Sequence, residues 1–372
     1  MFFYQLDRSL LYYSKILGWS LGLDEHESVY NQELKPQNFD KYFEDSRSCK
    51  YELNWYTSLA CLSEKDSQIE NSEQTKNVTV LDQGECGVIQ TENSDITLDT
   101  HSDNTINHRS KRVIGGTPAK YGDNPWMIGI QIYSEKTMVW NGFCGGSMIS
   151  EKWVLTAAHC IIIEDEEENR WENKASNFKI VAGDHKRFFT RRFEQERLAK
   201  KLIPHSNYMN SKTHDDDIGL IELDRELVRD KYVQPICLPS SGNPLPIGEE
   251  VTATGWGLLS PKDNLANTLQ EAKVTVWTVE DCKLVQDDSI TDKSFCAGVQ
   301  FINDDVANQD VCSGDSGGPL IHNTEKAVQI GIISHSRMKC SDKYDPNVYV
   351  DVAEYIEWIA EKTGMELKSI ET

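Results

Sequence analysis

Short apolar runs recur along the chain from residue 113 onwards, and clusters of Gly, Pro and Asn separate them. Runs of strand length with turn residues between them favour β-strands, and many such strands in succession are typical of a β-barrel or β-sandwich. The runs lie at 126–133, 147–155, 178–182, 218–223, 251–255 and 327–334.

The C-terminal end follows a different period. Val352, Tyr355, Ile356 and Ile359 fall on one face at helical spacing. The sequence therefore predicts an all-β domain that ends in a helix within 352–362.

Residues 1–112 differ from the rest in pattern and in composition. They are acidic, rich in Asn, Ser, Thr and Glu, and poor in periodic apolar positions, and 91–107 is typical of a flexible linker. Two interpretations stay open, a largely irregular prosegment and a small module tied by a disulfide around Cys49 and Cys61. We predict an N-terminal prosegment or light chain over 1–112 and a folded domain over 113–372.

Charge and cysteine content narrow the function. The chain has 38 basic and 60 acidic residues and a net charge of −22, which excludes nucleic acid as a partner because phosphates are repelled. Its ten cysteines form no CxxC pair and no Cys/His cluster with zinc spacing, so they indicate disulfides made in an oxidising compartment. We therefore expect a secreted, extracellular protein.

Leader and membrane signals add little to that expectation. Charged side chains interrupt the first 22 residues, so the apolar core of an ordinary signal peptide is missing. The sequence contains no stretch of about 18 apolar residues, so it predicts no membrane span. The sequon at 77–79 makes Asn77 a candidate glycosylation site, which fits a secreted glycoprotein.

A glycine-rich turn at 314–319, Gly-Asp-Ser-Gly-Gly-Pro, carries the first candidate for chemistry. Small neighbours let a carbonyl carbon approach the hydroxyl of Ser316. They also leave backbone N–H groups, here those of Gly314 and Ser316, free to stabilise an oxygen that becomes negative. The turn therefore predicts a nucleophilic serine.

A histidine and an aspartate can complete such a site. A serine hydroxyl needs a base at neutral pH, and His159 stands beside Cys160, which can anchor its loop. Asp217 leads into an apolar run, where a carboxylate can be held inside to fix the imidazole tautomer. We predict that the neighbouring Asp215 and Asp216 form a solvated turn.

These motifs, in the order His, Asp, Ser, resemble those of the trypsin-like serine endopeptidases of the chymotrypsin family. The resemblance extends from residue 113 to about residue 364, and it implies two six-stranded antiparallel barrels with the catalytic groups in the cleft between them and a C-terminal helix. Three further motifs support it: Arg-Val-Ile-Gly-Gly at 112–116, Pro-Ile-Cys-Leu-Pro at 235–239 and Gly-Trp-Gly at 255–257.

The resemblance also assigns the catalytic roles. Ser316 would attack a peptide carbonyl to form an acyl-enzyme, His159 would transfer its proton, and Asp217 would orient His159. The N–H groups of Gly314 and Ser316 would form the oxyanion hole. Protein substrates and protein inhibitors are the implied partners, and neither a metal nor an organic cofactor is needed.

Activation by cleavage is implied as well. In this family a cut just before Val-Ile-Gly-Gly frees an α-ammonium group, which enters the fold and pairs with the aspartate before the serine, here Asp315. The resemblance therefore implies a zymogen that is cut after Arg112 to free Val113. The basic tetrapeptide at 109–112 also resembles sites cut by furin-like convertases, so we expect such an activating protease in the secretory pathway.

A disulfide pattern follows from the same resemblance. A prosegment cysteine before a glycine pairs with the peptidase domain in such proteins, so the cleaved N-terminal chain would stay attached. The resemblance implies the pairs Cys86 with Cys237, Cys144 with Cys160, Cys282 with Cys296 and Cys312 with Cys340. By elimination Cys49 is left to pair with Cys61.

Specificity is predicted from the residues that match the primary pocket. Asp310 lies six residues before the serine, where trypsin-like members carry the aspartate at the pocket base, and an ionised carboxylate there favours Arg or Lys. Ser334 borders the pocket. Ser336 and Asn347 stand where the family has glycines, so they should narrow it, and Val311 removes a polar partner for lysine, which favours Arg.

Two loops are unusual for the family. The segment 161–177 is long and contains the acidic run 164–168. This run either forms a solvated surface or favours substrates with basic residues on the leaving-group side. The loop 184–194 corresponds to one that binds calcium in several family members, and Asp184 and Glu194 match its outer acidic ligands. Arg191 stands where a middle acidic ligand is expected, so no calcium is expected here. Arginines bridging these carboxylates and a basic exosite stay open as alternatives.

Two functions from different classes fit the family. One is an active endopeptidase, and the other is a binding homologue that has lost catalysis. Such homologues commonly replace the serine, whereas Ser316, His159 and Asp217 are all present. The sequence therefore predicts an active enzyme, and its long prosegment favours limited proteolysis or a cascade.

Overall fold

The computed structural model describes residues 77–89, 116–164, 170–187, 193–210, 215–258, 265–286, 290–298, 314–335 and 346–371. Contacts divide the chain into a unit over 1–74 and a unit over 75–372, and all described residues belong to the second. Several predictions concern positions outside the described residues, namely those for Cys49, Cys61, the side chain of Asn77, Arg112, Val113, Arg191, Asp310, Val311, Cys312, Ser336 and Cys340.

Strands dominate the described part of the chain. In chain order they are β1 (Asn77–Leu81), β2 (Thr117–Pro118), β3 (Met127–Ser134), β4 (Val139–Met148), β5 (Trp153–Thr156), β6 (Ile162–Glu164), β7 (Arg170–Glu172), β8 (Phe178–Ala182), β9 (Gln195–Pro204), β10 (Gly219–Leu223), β11 (Glu250–Gly255), β12 (Gln270–Val276), β13 (Ser294–Gly298), β14 (Pro319–Asn323), β15 (Ala327–His335), β16 (Asn347–Asp351) and β17 (Leu367–Glu371).

Among the described residues, helices are few and short. They are α1 (Ser206–Asn210), α2 (Val279–Gln286) and α3 (Ile356–Thr363), with 3₁₀ turns at Ala158–Cys160, Ala175–Asn177 and Val352–Tyr355. Over the described ranges, no helix has both the length and the apolar character needed to cross a membrane.

The first barrel closes through β10, β5, β4, β3, β8 and β9, in that order, with antiparallel neighbours. Alternate residues of a strand point to the same face, so Ile128 and Ile130 of β3 both enter the barrel and are fully buried. Ile180 of β8 and Leu220 of β10 are buried in the same core. The apolar runs read from the sequence therefore form this barrel.

The second barrel contains β11, β14, β15, β16, β13 and β12, and a further pairing of β11 with β12 closes it. The short strand β2 adds to the outside of β12. Val251, Phe295, Leu320 and Tyr349 fill its core. The prediction of two six-stranded antiparallel barrels followed by a C-terminal helix is confirmed.

The segment 77–89, which precedes the predicted peptidase domain, packs against the barrels. Strand β1 pairs with β17, which follows α3. The side chain of Gln83 is buried, donates to the carbonyl oxygens of Ile149 at 3.1 Å and Ile236 at 2.8 Å, and accepts the N–H of Leu238 at 2.7 Å. The sequence predicted no regular structure before residue 113, so this strand pair was missed.

Three disulfides tie the described residues together. They join Cys86 to Cys237, Cys144 to Cys160 and Cys282 to Cys296, which are three of the expected pairs. Because Cys86 lies 151 positions before Cys237, the first bridge links the segment 77–89 covalently to the barrels.

Candidate active site

The candidate base lies at the end of the first barrel. His159 is the middle residue of the 3₁₀ turn Ala158–Cys160, which follows β5. The disulfide from Cys160 to Cys144 fixes this turn to β4. The imidazole is 26% exposed, so one side of the ring faces the protein while the other is open to a substrate.

The carboxylate of Asp217 is enclosed beneath the imidazole. Asp217 lies just before β10 and is 1% exposed. Its Oδ2 lies 2.8 Å from Nδ1 of His159 and accepts the hydroxyl of Ser334 at 2.6 Å, while its Oδ1 accepts the backbone N–H of His159 at 2.9 Å. These donors compensate the buried charge and hold the carboxylate in one orientation.

The protonation states follow from these contacts. Burial acts to raise the pKa of Asp217, but the charge of His159 and the hydrogen bonds outweigh it and lower this pKa to about 2. Burial acts to lower the pKa of His159, and the Asp217 carboxylate outweighs it and raises this pKa above its ordinary value. An ionised Asp217 favours a proton on Nδ1, so Nε2 is left to accept a proton from a nucleophile.

The turn that carries Ser316 bridges the two barrels. The carbonyl oxygen of Ser316 accepts the N–H of Gly145 on β4 at 2.8 Å, and Gly317 donates its N–H to Ile333 on β15 at 2.8 Å. Gly317 has φ 76°, and a Cβ there would lie 2.2 Å from Oγ1 of Thr156. This position requires glycine, because a side chain would meet both a left-handed backbone and the wall of the first barrel.

Ser316 and His159 lie around the same disulfide sulfur. Sγ of Cys160 is 3.6 Å from Nε2 of His159 and 3.6 Å from the carbonyl oxygen of Ser316. In the part of the chain that the structure describes, no hydrogen bond joins the Ser316 hydroxyl to Nε2. Such bonds are often long before a substrate binds, so the arrangement fits a nucleophile and its base.

The aspartate before the serine is packed onto two glycines. Asp315 is 3% exposed, and its Oδ1 accepts the N–H of Gly257 at 2.7 Å. A Cβ on Gly255 would lie 2.0 Å from Oδ1, and one on Gly257 would lie 2.3 Å from Oδ2. The Gly-Trp-Gly motif is therefore explained by the close approach of this carboxylate.

Ser334 has a contact that the sequence did not reveal. The sequence predicts it at the specificity pocket, and in the structure its hydroxyl donates to Asp217. Asn347 begins β16 opposite Ala297 and is 3% exposed, so its side chain is enclosed. Nothing in the local sequence around Ser334 indicates Asp217 as its partner, since the two residues are 117 positions apart.

Asp215 and Asp216 lie in a turn, as predicted, and Asp215 is partly exposed, but the prediction of a solvated side chain is wrong for Asp216. Asp216 is 8% exposed, and its Oδ1 accepts Nζ of Lys293 at 2.9 Å and the hydroxyl of Tyr355 at 2.9 Å. Oδ1 of Asp215 accepts the hydroxyl of Thr291 at 3.0 Å. Partners remote in sequence bind both carboxylates and enclose that of Asp216, and no local pattern could show them.

A hairpin of β6 and β7 follows the histidine, and Arg170 attaches it beside the site. The guanidinium lies 3.9 Å from the ring centre of Tyr208, and its Nη1 donates to the carbonyl oxygen of Tyr208 at 2.7 Å. Nε of Arg170 lies 3.3 Å from Oε1 of Glu164. Glu164, the first residue of the acidic run, is therefore paired, and 165–169 lie outside the described residues.

The two carboxylates considered for calcium, Asp184 and Glu194, lie at the ends of a loop whose residues 188–192 are outside the described ranges. The expectation that this loop binds no calcium stays a prediction.

Comparison with known proteins gives consistent matches. The family model described as Trypsin matches residues 113–359. The chain is 34% identical over 256 residues to coagulation factor XI of Bos taurus, an alignment that covers 68% of this chain and 38% of that protein. It is 32% identical over 268 residues to transmembrane protease serine 11C of Mus musculus, covering 70% of this chain and 56% of that protein. The chain thus spans roughly two fifths to under three fifths of the length of these relatives.

Proposed function

Since the chain belongs to the trypsin family of serine proteases, we propose that it is a secreted serine endopeptidase that cleaves after Arg or Lys and is made as a zymogen. The observation that carries the proposal is the buried Asp217 carboxylate, which holds Nδ1 of His159 at 2.8 Å. Nε2 is left to accept a proton, 3.6 Å from the Cys160 Sγ that also contacts the carbonyl oxygen of Ser316. A role in limited proteolysis or a cascade is part of the proposal.

The reaction has two halves. The Ser316 hydroxyl attacks the scissile carbonyl carbon while Nε2 of His159 accepts its proton, and the imidazolium then protonates the leaving amine as the acyl-enzyme forms. Water attacks the acyl-enzyme in the second half, with His159 again accepting and returning a proton. Asp217 stays ionised throughout, which agrees with its lowered pKa of about 2.

The oxyanion would be held by the backbone N–H groups of Gly314 and Ser316. Gly314 has φ 99°, a conformation that other residues rarely adopt, and it sets the direction of the turn before the serine. Loss of such donors costs about 10²–10³ in turnover, because they are aimed at the charge of the transition state.

Specificity for Arg or Lys rests on Asp310 and its match to the family pattern. The burial of Asn347 in β16 supports a pocket narrower than one walled by glycine. A narrow pocket with an acidic base favours the flat guanidinium of Arg over other side chains. Ser336 and the backbone around Ser334 would complete its walls.

Activation would follow cleavage after Arg112, which separates a light chain over 1–112 from a peptidase domain over 113–372. The new α-ammonium of Val113 would pair with Asp315, whose carboxylate lies in the enclosed space beside Gly255 and Gly257. A buried carboxylate gains most from a cationic partner, so the order of the pocket would depend on the cut. The Cys86–Cys237 bridge would keep the light chain attached.

Secretion, glycosylation at Asn77 and cutting by a furin-like convertase belong to the same proposal. Disulfides among the described residues support an oxidising compartment. Protein inhibitors that fill the cleft are the expected regulators.

A covalent probe tests the proposal directly. The chain is cleaved after Arg112 and treated with a fluorophosphonate, which labels only an activated serine. We expect labelling in the wild type and none in Ser316→Ala, with peptide-library cleavage after Arg. Absence of labelling in the correctly cleaved wild type would favour a binding homologue and overturn the proposal.

A further inference from the structure

We propose that Asp216 is a positioning residue, which fixes the position of the neighbouring Asp217 and through it that of His159. It does so by anchoring the turn before β10 to the second barrel and to the 3₁₀ turn Val352–Tyr355. The inference rests on the proposed function, since it concerns how the same site is held. Asp216 itself does not touch the reacting atoms.

Three elements converge on the Asp216 carboxylate. Nζ of Lys293, just before β13, and the hydroxyl of Tyr355, in the turn Val352–Tyr355, both donate to Oδ1 at 2.9 Å. Nδ1 of His205, after β9, lies 3.6 Å from the same oxygen. The Asp216 side chain is only 9% exposed, whereas that of Lys293 is 38% exposed, so the carboxylate is enclosed while the lysine still reaches solvent. Hydrogen bonds to a charged, enclosed carboxylate are among the stronger ones.

The anchor is itself fixed to the second barrel. The carbonyl oxygen of Lys293 accepts the N–H of Asp351 at 2.9 Å, at the end of β16. The N–H of Lys293 donates to Oγ1 of Thr291 at 3.2 Å, and the Thr291 hydroxyl in turn donates to Asp215 at 3.0 Å. The short segment 291–293 therefore binds both Asp215 and Asp216.

The backbone at Asp216 needs such an anchor. Its φ is 55°, in the left-handed region that residues other than glycine rarely occupy, and its carbonyl oxygen accepts the N–H of Ile218 at 2.7 Å. A strained conformation of this kind persists when surrounding contacts over-determine it. Here the reversal at Asp216 turns the next side chain, that of Asp217, inward.

The position of Asp217 then depends on both barrels. It leads into β10 of the first barrel, yet Ser334 of β15 in the second barrel donates to it. Asp216 provides a second link across the same boundary, one residue away. Loss of that link would let Asp217 shift relative to Ser334 and His159, and a misplacement of about 1 Å can cost about 100-fold in rate.

Substitutions at Asp216 separate the backbone from the carboxylate. Asp216→Gly keeps the left-handed conformation at no steric cost but removes every side-chain contact. Asp216→Asn keeps an oxygen that can accept from Tyr355 and loses the charge that faces Lys293 and His205. Tyr355→Phe removes one hydroxyl only. Glu250→Gln is the matched control, because it removes an exposed carboxylate–lysine pair with Lys273.

Two readouts are measured on each full-length chain after cleavage at Arg112. Steady-state kinetics gives kcat and KM, and NMR of ring-labelled histidine gives the pKa of His159, with the signal assigned by its loss in His159→Ala. We expect Asp216→Gly to lower kcat about tenfold with KM changed less than about twofold, and to move the His159 pKa down toward its ordinary value. Asp216→Asn should lie between Gly and wild type, and Glu250→Gln should match wild type.

Wild-type kcat and an unchanged His159 pKa in Asp216→Gly would overturn the inference. If that variant does not fold, as judged by its melting transition, Asp216→Asn and Tyr355→Phe decide in the same way. If the wild type itself hydrolyses nothing, the proposed function fails, but the His159 pKa still reports whether Asp216 positions the pair. Failure of the one is thus distinguishable from failure of the other.

Discussion

The hydroxyl of Ser334 donates to Oδ2 of Asp217 at 2.6 Å, so a side chain of the second barrel completes the hydrogen bonds of a carboxylate held by the first. Asp217 also binds the imidazole and the backbone of His159. Three donors around one buried carboxylate keep it ionised and immobile, which is what the base opposite it requires.

Ser334→Ala should weaken catalysis by removing one of these donors. A hydrogen bond to a charged group contributes roughly 1.5–3 kcal/mol, so we expect kcat to fall about tenfold or more. The pKa of Asp217 should rise from about 2, because the lost bond favoured its charged form. Steady-state kinetics measures the fall in kcat, and NMR of carboxyl-labelled aspartate measures the pKa of Asp217.

Ser147→Ala is a matched control for that substitution. It also removes a fully buried serine hydroxyl, which donates to Gln329. We expect a loss of stability with an unchanged pH profile. A change in the acid limb of that control would contradict a specific role for Ser334.

The acid limb of kcat/KM should report His159. Its pKa is raised, chiefly by Asp217 against the effect of burial, so the imidazole stays protonated up to a pH above 6.5 and cannot act as a base below it. Activity should therefore fall as the pH drops through that pKa. Asp217→Asn should move the limb to lower pH and reduce kcat about 10⁴-fold, because the charge and the tautomer are both lost. Unmoved limbs would contradict this coupling.

The barrels and the main chemical groups could be predicted from the sequence because both leave local signals. The strand-length apolar runs form β3, β8 and β10. The glycines around Ser316 predicted a turn in which a side chain would collide with its neighbours. The Ser334–Asp217 contact and the burial of Asp216 could not be predicted, since these partners lie 77 to 139 residues away and no local pattern marks them. Strand β17 was missed for the same reason, because it is a strand only by pairing with β1.

Asp351 should make the fold less stable as the pH rises. This residue is 7% exposed and accepts the N–H of Ala353 at 3.0 Å, yet burial raises its pKa from 3.8 to about 7, and Glu354 adds to the effect. Its folded form holds a proton that the unfolded chain releases above pH 3.8. The contribution of Asp351 to the free energy of unfolding is therefore fully present below that pH and is lost progressively up to about pH 7.

Asp351→Asn removes that pH dependence. The amide stays neutral and its oxygen can still accept from Ala353, so the variant should exceed the wild type by about 2 kcal/mol or more at pH 8 and match it near pH 4. Chemical denaturation at the two pH values measures the difference. An equal gain at both would show that titration of Asp351 is not its cause.

The segment 77–89 should stay bound to the barrels without its disulfide. Gln83 bonds two carbonyl groups and one N–H of the barrels, β1 pairs with β17, and Leu81 enters the core. These contacts do not depend on the Cys86–Cys237 bridge. After cleavage at Arg112 and selective reduction of this bridge, we expect the light chain to co-elute with the peptidase domain in size-exclusion chromatography.

Gln83→Ala tests which contact retains the segment. It leaves partly buried carbonyl and N–H groups of Ile149, Ile236 and Leu238 without a partner, and each such group costs about 1–3 kcal/mol. The reduced, cleaved variant should therefore release its light chain, while Asp82→Asn, which loses an exposed ion pair with Lys368, should retain it. Release from the reduced wild type, before any substitution, would show that the disulfide alone holds the two chains together.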